Sequence, residues 1–165
     1  MATSTHRESS TDLPLPEQEF VDSAYERLDA LRASYRDRQG RVHSTHGVGN
    51  AQGWTEREAL SAHLGEMAAR LEGVEERLVF GRLDMADRST RHVGRLSLSH
   101  EDGTPLLVDW RAPAARPFYQ ATSAEPDGVV RRRHISTRNR RVTALEDELL
   151  DASGAEGLEL QGEGA

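Results

Sequence analysis

Six arginines fall between positions 131 and 141: Arg131, Arg132, Arg133, Arg138, Arg140 and Arg141. A guanidinium is planar and carries its donors in a fork, so such a cluster can clamp phosphate or carboxylate groups bidentately. His134 lies among them but no aromatic residue does, so base stacking has little support there. The competing reading is internal pairing with the acidic run Glu146, Asp147 and Glu148. A second set of cations, Arg36, Arg38, Arg41, His43 and His46, surrounds a Gly-rich stretch and is the other candidate partner contact. A metal site needs three or four ligands, and only Asp37 stands near the two histidines. Asp84 and Asp87 flank Met85-Ala86, and a turn accounts for both. Asp109 beside Arg111 is explained by an ion pair or backbone hydrogen bonds. Ser97, Ser99, His100 and Asp102 are hydrolase residue types. They are neighbours on one hairpin, however, whereas working triads draw on distant segments and an oxyanion hole. No catalytic, cofactor-binding or metal residue is assigned.

Composition narrows the chemistry further. The chain has 165 residues and no cysteine, which excludes disulfides, thiol nucleophiles and Cys-zinc sites. All 21 basic residues are arginine. The lack of lysine excludes a P-loop lysine and a Schiff-base lysine. Neither a P-loop motif nor a dinucleotide-binding glycine motif occurs. No apolar run approaches the roughly 20 residues of a membrane span. Met1 to Asp12 carries no signal-peptide core. A cytoplasmic protein without a membrane partner is expected.

The net charge of -7 is segmented. Residues 1–78 hold 9 Arg and 14 acids, residues 79–145 hold 12 Arg and 7 acids, and residues 146–165 hold 7 acids and no base. A basic middle between acidic flanks suggests a polyanionic or acidic partner. Solvated surface charge is the alternative.

The elements that would position these residues follow from periodicity. Residues 1–15 are polar and aperiodic and are expected to be disordered. Phe20, Ala24, Leu28, Leu31 and Tyr35 lie on one helical face, and Gln39-Gly40 should end that helix. Thr55 and Glu58 form a capping-box pattern. Leu60, Leu64, Met67, Leu71, Val74 and Leu78 then make a heptad seam. Two helices of similar length with narrow seams predict an antiparallel coiled-coil arm over 16–78. The Gly-rich connector, Asp37 to Trp54, would be its mobile tip.

From Val79 the period becomes that of strands. His92 to Ser99 and Pro105 to Trp110 read as one hairpin around a turn at 100–103. Val129 to Ser136 and Arg140 to Leu145 read as a second, although Ala144 to Asp151 could instead start an acidic helix. The expected class is therefore α+β: a two-helix arm followed by a small antiparallel β-rich region over 79–150. Residues 151–165 are an acidic, Gly-rich tail, as if the chain stopped partway into a longer protein.

Several stretches resemble a known family. Phe80-Gly81-Arg82-Leu83-Asp84, Val93-Gly94-Arg95-Leu96 and Val108-Asp109-Trp110-Arg111-Ala112-Pro113 leading to Phe118-Tyr119 resemble the N-terminal region of HelD-type helicase-like ATPases. These are superfamily 1 proteins that bind bacterial RNA polymerase. Val129 to His134 and Leu145 to Glu148 are most similar to the actinobacterial branch, which includes a rifampicin-resistance protein. The resemblance covers about residues 15–165. It implies an arm that enters the secondary channel of RNA polymerase, joined to a motor that uses ATP and magnesium. It further implies release or recycling of stalled polymerase and, in that branch, displacement of rifampicin. The Walker motifs and the adenine-recognition motif of the family are not in these 165 residues, so no cofactor is expected here. The tip lacks the carboxylates of a metal-chelating, cleavage-stimulating tip. The rival function is an Arg-rich nucleic-acid-binding module built on the second hairpin.

Overall fold

The computed structural model of the chain describes residues 15–44 and 51–153. Of the expected disordered N-terminus and acidic tail, residues 1–14 and 154–165 lie outside the described residues, as does His46, while Leu15 already belongs to the first helix. The elements are α1 (Leu15–Ser44), α2 (Ala51–Gly73), β1 (Val79–Met85), β2 (Thr90–Gly94), β3 (Leu98–Ser99) and β4 (Pro105–Asp109). A 3-10 turn (Pro113–Ala115), α3 (Arg116–Gln120), β5 (Val129–Arg138) and β6 (Arg141–Leu149) complete the order. The strands form one six-stranded sheet in the order β3-β4-β2-β1-β5-β6. Every pairing is antiparallel except β2 with β4. The class is α+β, as the alternation of periods implied.

Both long helices exceed their expected bounds at the far end. α1 continues through Gln39-Gly40 to Ser44, giving 30 residues. A helical glycine costs only about 1 kcal/mol relative to alanine, and no proline follows to enforce a stop. α2 starts at Ala51, so Thr55 lies inside the helix and is not its N-cap. The expected connector from Asp37 to Trp54 is therefore mostly helix, and residues 45–50 fall outside the described part. At the other end α2 stops at Gly73. Leu78, read as the last seam position, is instead buried just before β1.

The helices run antiparallel. The Tyr25 hydroxyl donates to the Glu75 carbonyl at 2.6 Å, and Arg36 pairs with Glu72 at 3.0 Å. Leu64 and Leu71 are buried between them, whereas Leu60 is 48% exposed. The seam thus closes towards the sheet and opens towards the start of α2.

The first β reading needs correction. Only Leu98–Ser99 pairs antiparallel with β4, while His92 to Gly94 belongs to β2, which lies between β1 and β4. Gly94 is the reason the chain can cross here. A Cβ on it would collide with the Leu78 carbonyl and the Leu107 side chain. The second hairpin forms, but its first strand runs on through Arg138 and the turn lies at 139–140 and not at 137–139, so Arg140 is a turn residue and not the start of a strand. Its two-residue turn, Asn139-Arg140, has φ of 50° and 66°, the twist-matched turn of tight hairpins. The acidic-helix alternative for Ala144 to Asp151 gives way to β6, because strand pairing with β5 runs to Leu149.

Two apolar clusters hold the layers. Val21, Ala24, Tyr25 and Leu28 of α1 pack with Leu71, Leu78, Leu98, Leu107, Ile135 and Val142. On the opposite face Phe118, Ala115 and Ala121 pack against Leu83, Val93 and Val129. Leu71→Ala should lower the unfolding free energy by about 2–5 kcal/mol through lost burial and a residual cavity. Leu60→Ala should lie within about 0.5 kcal/mol of the parent. Urea denaturation followed by circular dichroism measures both; equal losses would mean the seam closes along its whole length.

Candidate functional site: a charged junction beneath the helical pair

Glu17 sits on the face of α1 that carries Val21, Ala24 and Leu28, at steps of 4, 3 and 4 residues. That spacing points its carboxylate down onto the sheet. Its side chain is 1% exposed. Strand register supplies the partners: His92 on β2, Arg82 on β1, Arg133 on β5 and Asp147 on β6 form one cross-strand row. Arg82 donates to Glu17 Oε1 at 2.6 Å and Arg133 to the same oxygen at 2.9 Å. His92 Nε2 lies 3.3 Å from Oε2, and the His92 ring stacks on Phe20.

The next row extends the network. Asp84, also buried, accepts from Arg82 at 2.9 Å and from Arg131 at 2.7 Å. Asp147 takes a bidentate pair from Arg133, at 2.6 and 2.9 Å. Three carboxylates and three guanidiniums thereby offset one another across β1, β5, β6 and α1. Among the described residues, no buried side-chain nitrogen or oxygen lacks a partner.

Burial would push the Glu17 carboxyl up. Hydrogen bonds from His92 and Arg82, with the charge of each, overcome that and hold it at about 2, below the ordinary 4.5. Arg133, hydrogen-bonded to Asp147 and Glu17, is held more firmly charged than a free guanidinium. Its hydrogen bond in turn lowers Asp147.

A second, more open clamp joins the sheet to the helices. The positive φ of Arg140 turns its side chain back from the β5–β6 turn. It bonds Asp29 at 2.8 and 3.0 Å and Glu75 at 2.7 and 3.1 Å, and lies 4.5 Å over the Tyr25 ring. Hydrogen bonds from Arg140 lower both carboxyls. Arg32 completes this end by bonding the Leu71 carbonyl at 2.6 Å and Glu75 at 2.7 Å. It satisfies a carbonyl in the last turn of α2, where a cation also suits the helix dipole.

The arginine cluster of the second hairpin is thus divided. Alternation sends Arg131 and Arg133 to the α1 face and Arg132 to the other, where it bonds Glu148 and the Phe118 and Ala121 carbonyls. Arg131, Arg132, Arg133 and Arg140 all hold internal ion pairs. Arg138 and Arg141 remain exposed at the turn. Arg36, Arg38 and Arg41 are exposed on the outer half of α1, and His43 lies in its last turn. Asp84 is not a turn residue as read but a buried strand residue; Asp87 is in the turn and accepts from Ser89. Asp109 pairs with Arg111 at 2.9 Å, as its position implied.

Glu17, Arg32, Arg82 and His92 are not candidates on sequence grounds, and Asp84 is weighed there only as a turn partner of Asp87. The available signal for Glu17 was its place on an apolar helical face, and for Arg82 and Asp84 their alternation within an otherwise apolar strand.

The geometry is that of a helical pair mounted on a small sheet through shared ion pairs, and no group of three metal-ligating side chains occurs among the described residues. A family model described as DNA helicase IV HelD, N-terminal domain, matches residues 15–160. The chain belongs to that family. No curated protein matches it. No helix of the described residues is long and apolar enough to cross a membrane.

Glu17→Gln would leave Arg82 and Arg133 under-compensated, and a loss of about 3–5 kcal/mol is expected at pH 7. A carboxyl held below its ordinary value stabilises the fold above about pH 4.5 and loses that contribution as pH falls towards about 2. The gap between parent and variant should therefore shrink over that window. A gap in denaturation free energy that stays constant from pH 6 to pH 3 would contradict the role given to this carboxylate.

Proposed function

We propose that this chain is the RNA polymerase-binding N-terminal part of a HelD-like, ATP-dependent helicase-like protein, and that α1 and α2 form its coiled-coil arm. Family membership supports the first half of this reading. The observation that carries the second is where α1 is tied. Among the described residues, the hydrogen bonds and ion pairs joining α1 to the sheet start at Glu17, Gln18, Arg27 and Asp29. From Arg32 outward the described bonds go to α2, to Glu75 just beyond it, or stay within α1. The outer half is left with exposed Arg36, Arg38 and Arg41, which suit a polymerase channel lined with acidic groups or nucleic-acid phosphate.

In the complete protein the arm would enter the secondary channel. ATP-driven movement of a motor outside these residues would then help release or recycle stalled polymerase, and in the actinobacterial branch displace rifampicin. A cytoplasmic location goes with that partner. The rival Arg-hairpin module gains no support, because four of its six cations are held in ion pairs.

Replacing residues 37–66 by a short Gly-Ser bridge keeps Arg32, Leu71 and both clamps. This variant should stay folded by near-ultraviolet and far-ultraviolet circular dichroism and lose capture of bacterial core RNA polymerase. Capture equal to that of the intact chain would defeat the arm assignment. The isolated chain is also expected to show no saturable ATP binding by calorimetry, since it has neither lysine nor a phosphate-cradling loop.

A further inference from the structure

A part of the surface that neither the arm nor the clamps use combines exposed aromatic rings with cations. Trp110 is 47% exposed and Tyr119 51% exposed. They are large rings in a chain with 5% aromatic residues, and they touch each other edge to face at 6.3 Å. Tyr119 packs edge-on to Phe118 at 5.3 Å, and Phe118, 4% exposed, contacts Phe80 at 5.8 Å. The rings form a ladder rooted in the core and ending in solvent. Backbone geometry holds the outer end: Trp110 N–H donates to the Gly94 carbonyl at 2.9 Å, directly after β4.

Trp110 separates two open hollows of about 340 and 360 Å³. One is lined by Arg77, Phe80, Arg95 and Trp110, the other by Trp110, Arg111, Arg116 and Tyr119 among others. Neither lining contains a carboxylate, in a chain of net charge -7. Arg111 is partly neutralised by Asp109. Arg77, Arg95 and Arg116 make no ion pair among those described. Cations therefore stand on both sides of an exposed ring.

We infer that this face is a stacking platform for single-stranded nucleic acid, with bases against Trp110 and Tyr119 and phosphates on Arg77, Arg95 and Arg116. Three features favour a single strand over an acidic peptide or a duplex. Flat, rigid rings offer faces to any base, and stacking is tolerant of sequence. Unpaired guanidiniums on either side suit a backbone whose charges recur at each nucleotide. The hollows are open and lie on either side of Trp110, so one extended strand can occupy both. The inference does not rest on the polymerase reading, and the arm plays no part in it.

Trp54→Phe leaves Trp110 as the sole tryptophan reporter. In that variant a twelve-residue oligothymidylate should quench the fluorescence saturably, with a weaker response to a duplex of equal length. By anisotropy of labelled oligothymidylate, Trp110→Ala with Tyr119→Ala should weaken binding roughly ten- to a hundredfold. Arg77→Ser with Arg116→Ser should weaken it and flatten the salt dependence from a log–log slope of about 2. Circular dichroism checks that these surface variants remain folded. No binding by the intact chain overturns the inference. So does binding that survives the aromatic pair but is lost on replacing Arg138 and Arg141, or a Trp110 response to polyglutamate and not to oligothymidylate. The arm deletion is expected to bind oligothymidylate as the intact chain does, so failure of this platform and failure of the arm reading give separate results.

Discussion

One buried carboxylate sets the terms for the rest of the domain. Glu17 lies on the apolar face of α1, where an isolated carboxylate would cost several kcal/mol of desolvation. It is tolerated because Arg82 and Arg133 donate to it and His92 lies against it. Those partners come from β1, β5 and β2, so α1 can dock only when all three strands are assembled. They must also be in the observed register. A slip by one residue would turn Arg82 or Arg133 to the opposite face, leaving both the carboxylate and the guanidinium buried without a partner. The ion pairs need add little net stability to have this effect. They penalise the misregistered alternatives, which an apolar contact of similar size would penalise far less.

The same logic changes the meaning of the charge segmentation. A basic middle between acidic flanks resembles the signature of an anion-binding surface. Much of it is instead complementarity within the fold: Glu17, Asp29 and Glu75 of the N-terminal segment and Asp147 and Glu148 of the C-terminal one meet Arg82, Arg132, Arg133 and Arg140 of the middle. What remains outside this pairing is more restricted and more informative. It comprises Arg38 on the outer half of α1, the turn residues Arg138 and Arg141, and Arg77, Arg95 and Arg116 around Trp110.

Periodicity made the helices, the second hairpin and the α+β class legible, because side-chain spacing on one face is a local property. Helix ends were less so. Gly40 and Thr55 carry terminator and cap chemistry, yet both lie inside helices, since pairing between the helices outweighs a local preference of about 1 kcal/mol. Strand order was hidden because β2 joins β4 in parallel across the intervening β3, a non-local choice that alternation cannot report. The division of Arg131, Arg132 and Arg133 between two faces was readable from alternation. Their partners on α1 were not, because Glu17 is 116 positions from Arg133. The aromatic ladder was visible only as the Trp110 to Tyr119 motif, with nothing in the sequence to show that its outer rings face solvent.

Two ion-paired attachments, with the Gln18 and Arg27 hydrogen bonds between them, fasten α1 to the sheet. Glu17 and Asp29 are 12 positions apart on α1, or about 18 Å at 1.5 Å per residue. A single anchor at Glu17 would leave the helix free to pivot. The second anchor, Arg140, holds Asp29 of α1 and Glu75 just beyond α2 at once, so the pair moves as a unit with the β5–β6 turn. Arg140 can do this because the tight turn forces it to positive φ, aiming its side chain at the helices. Load applied to the outer helices would thus pass through Arg140 into β5 and β6, and through Arg133 and Arg82 into β1 at the centre of the sheet. The buried anchor at Glu17 and the more open one at Arg140, together with Gln18, Arg27 and the apolar face between them, fix this stretch of α1 against the sheet.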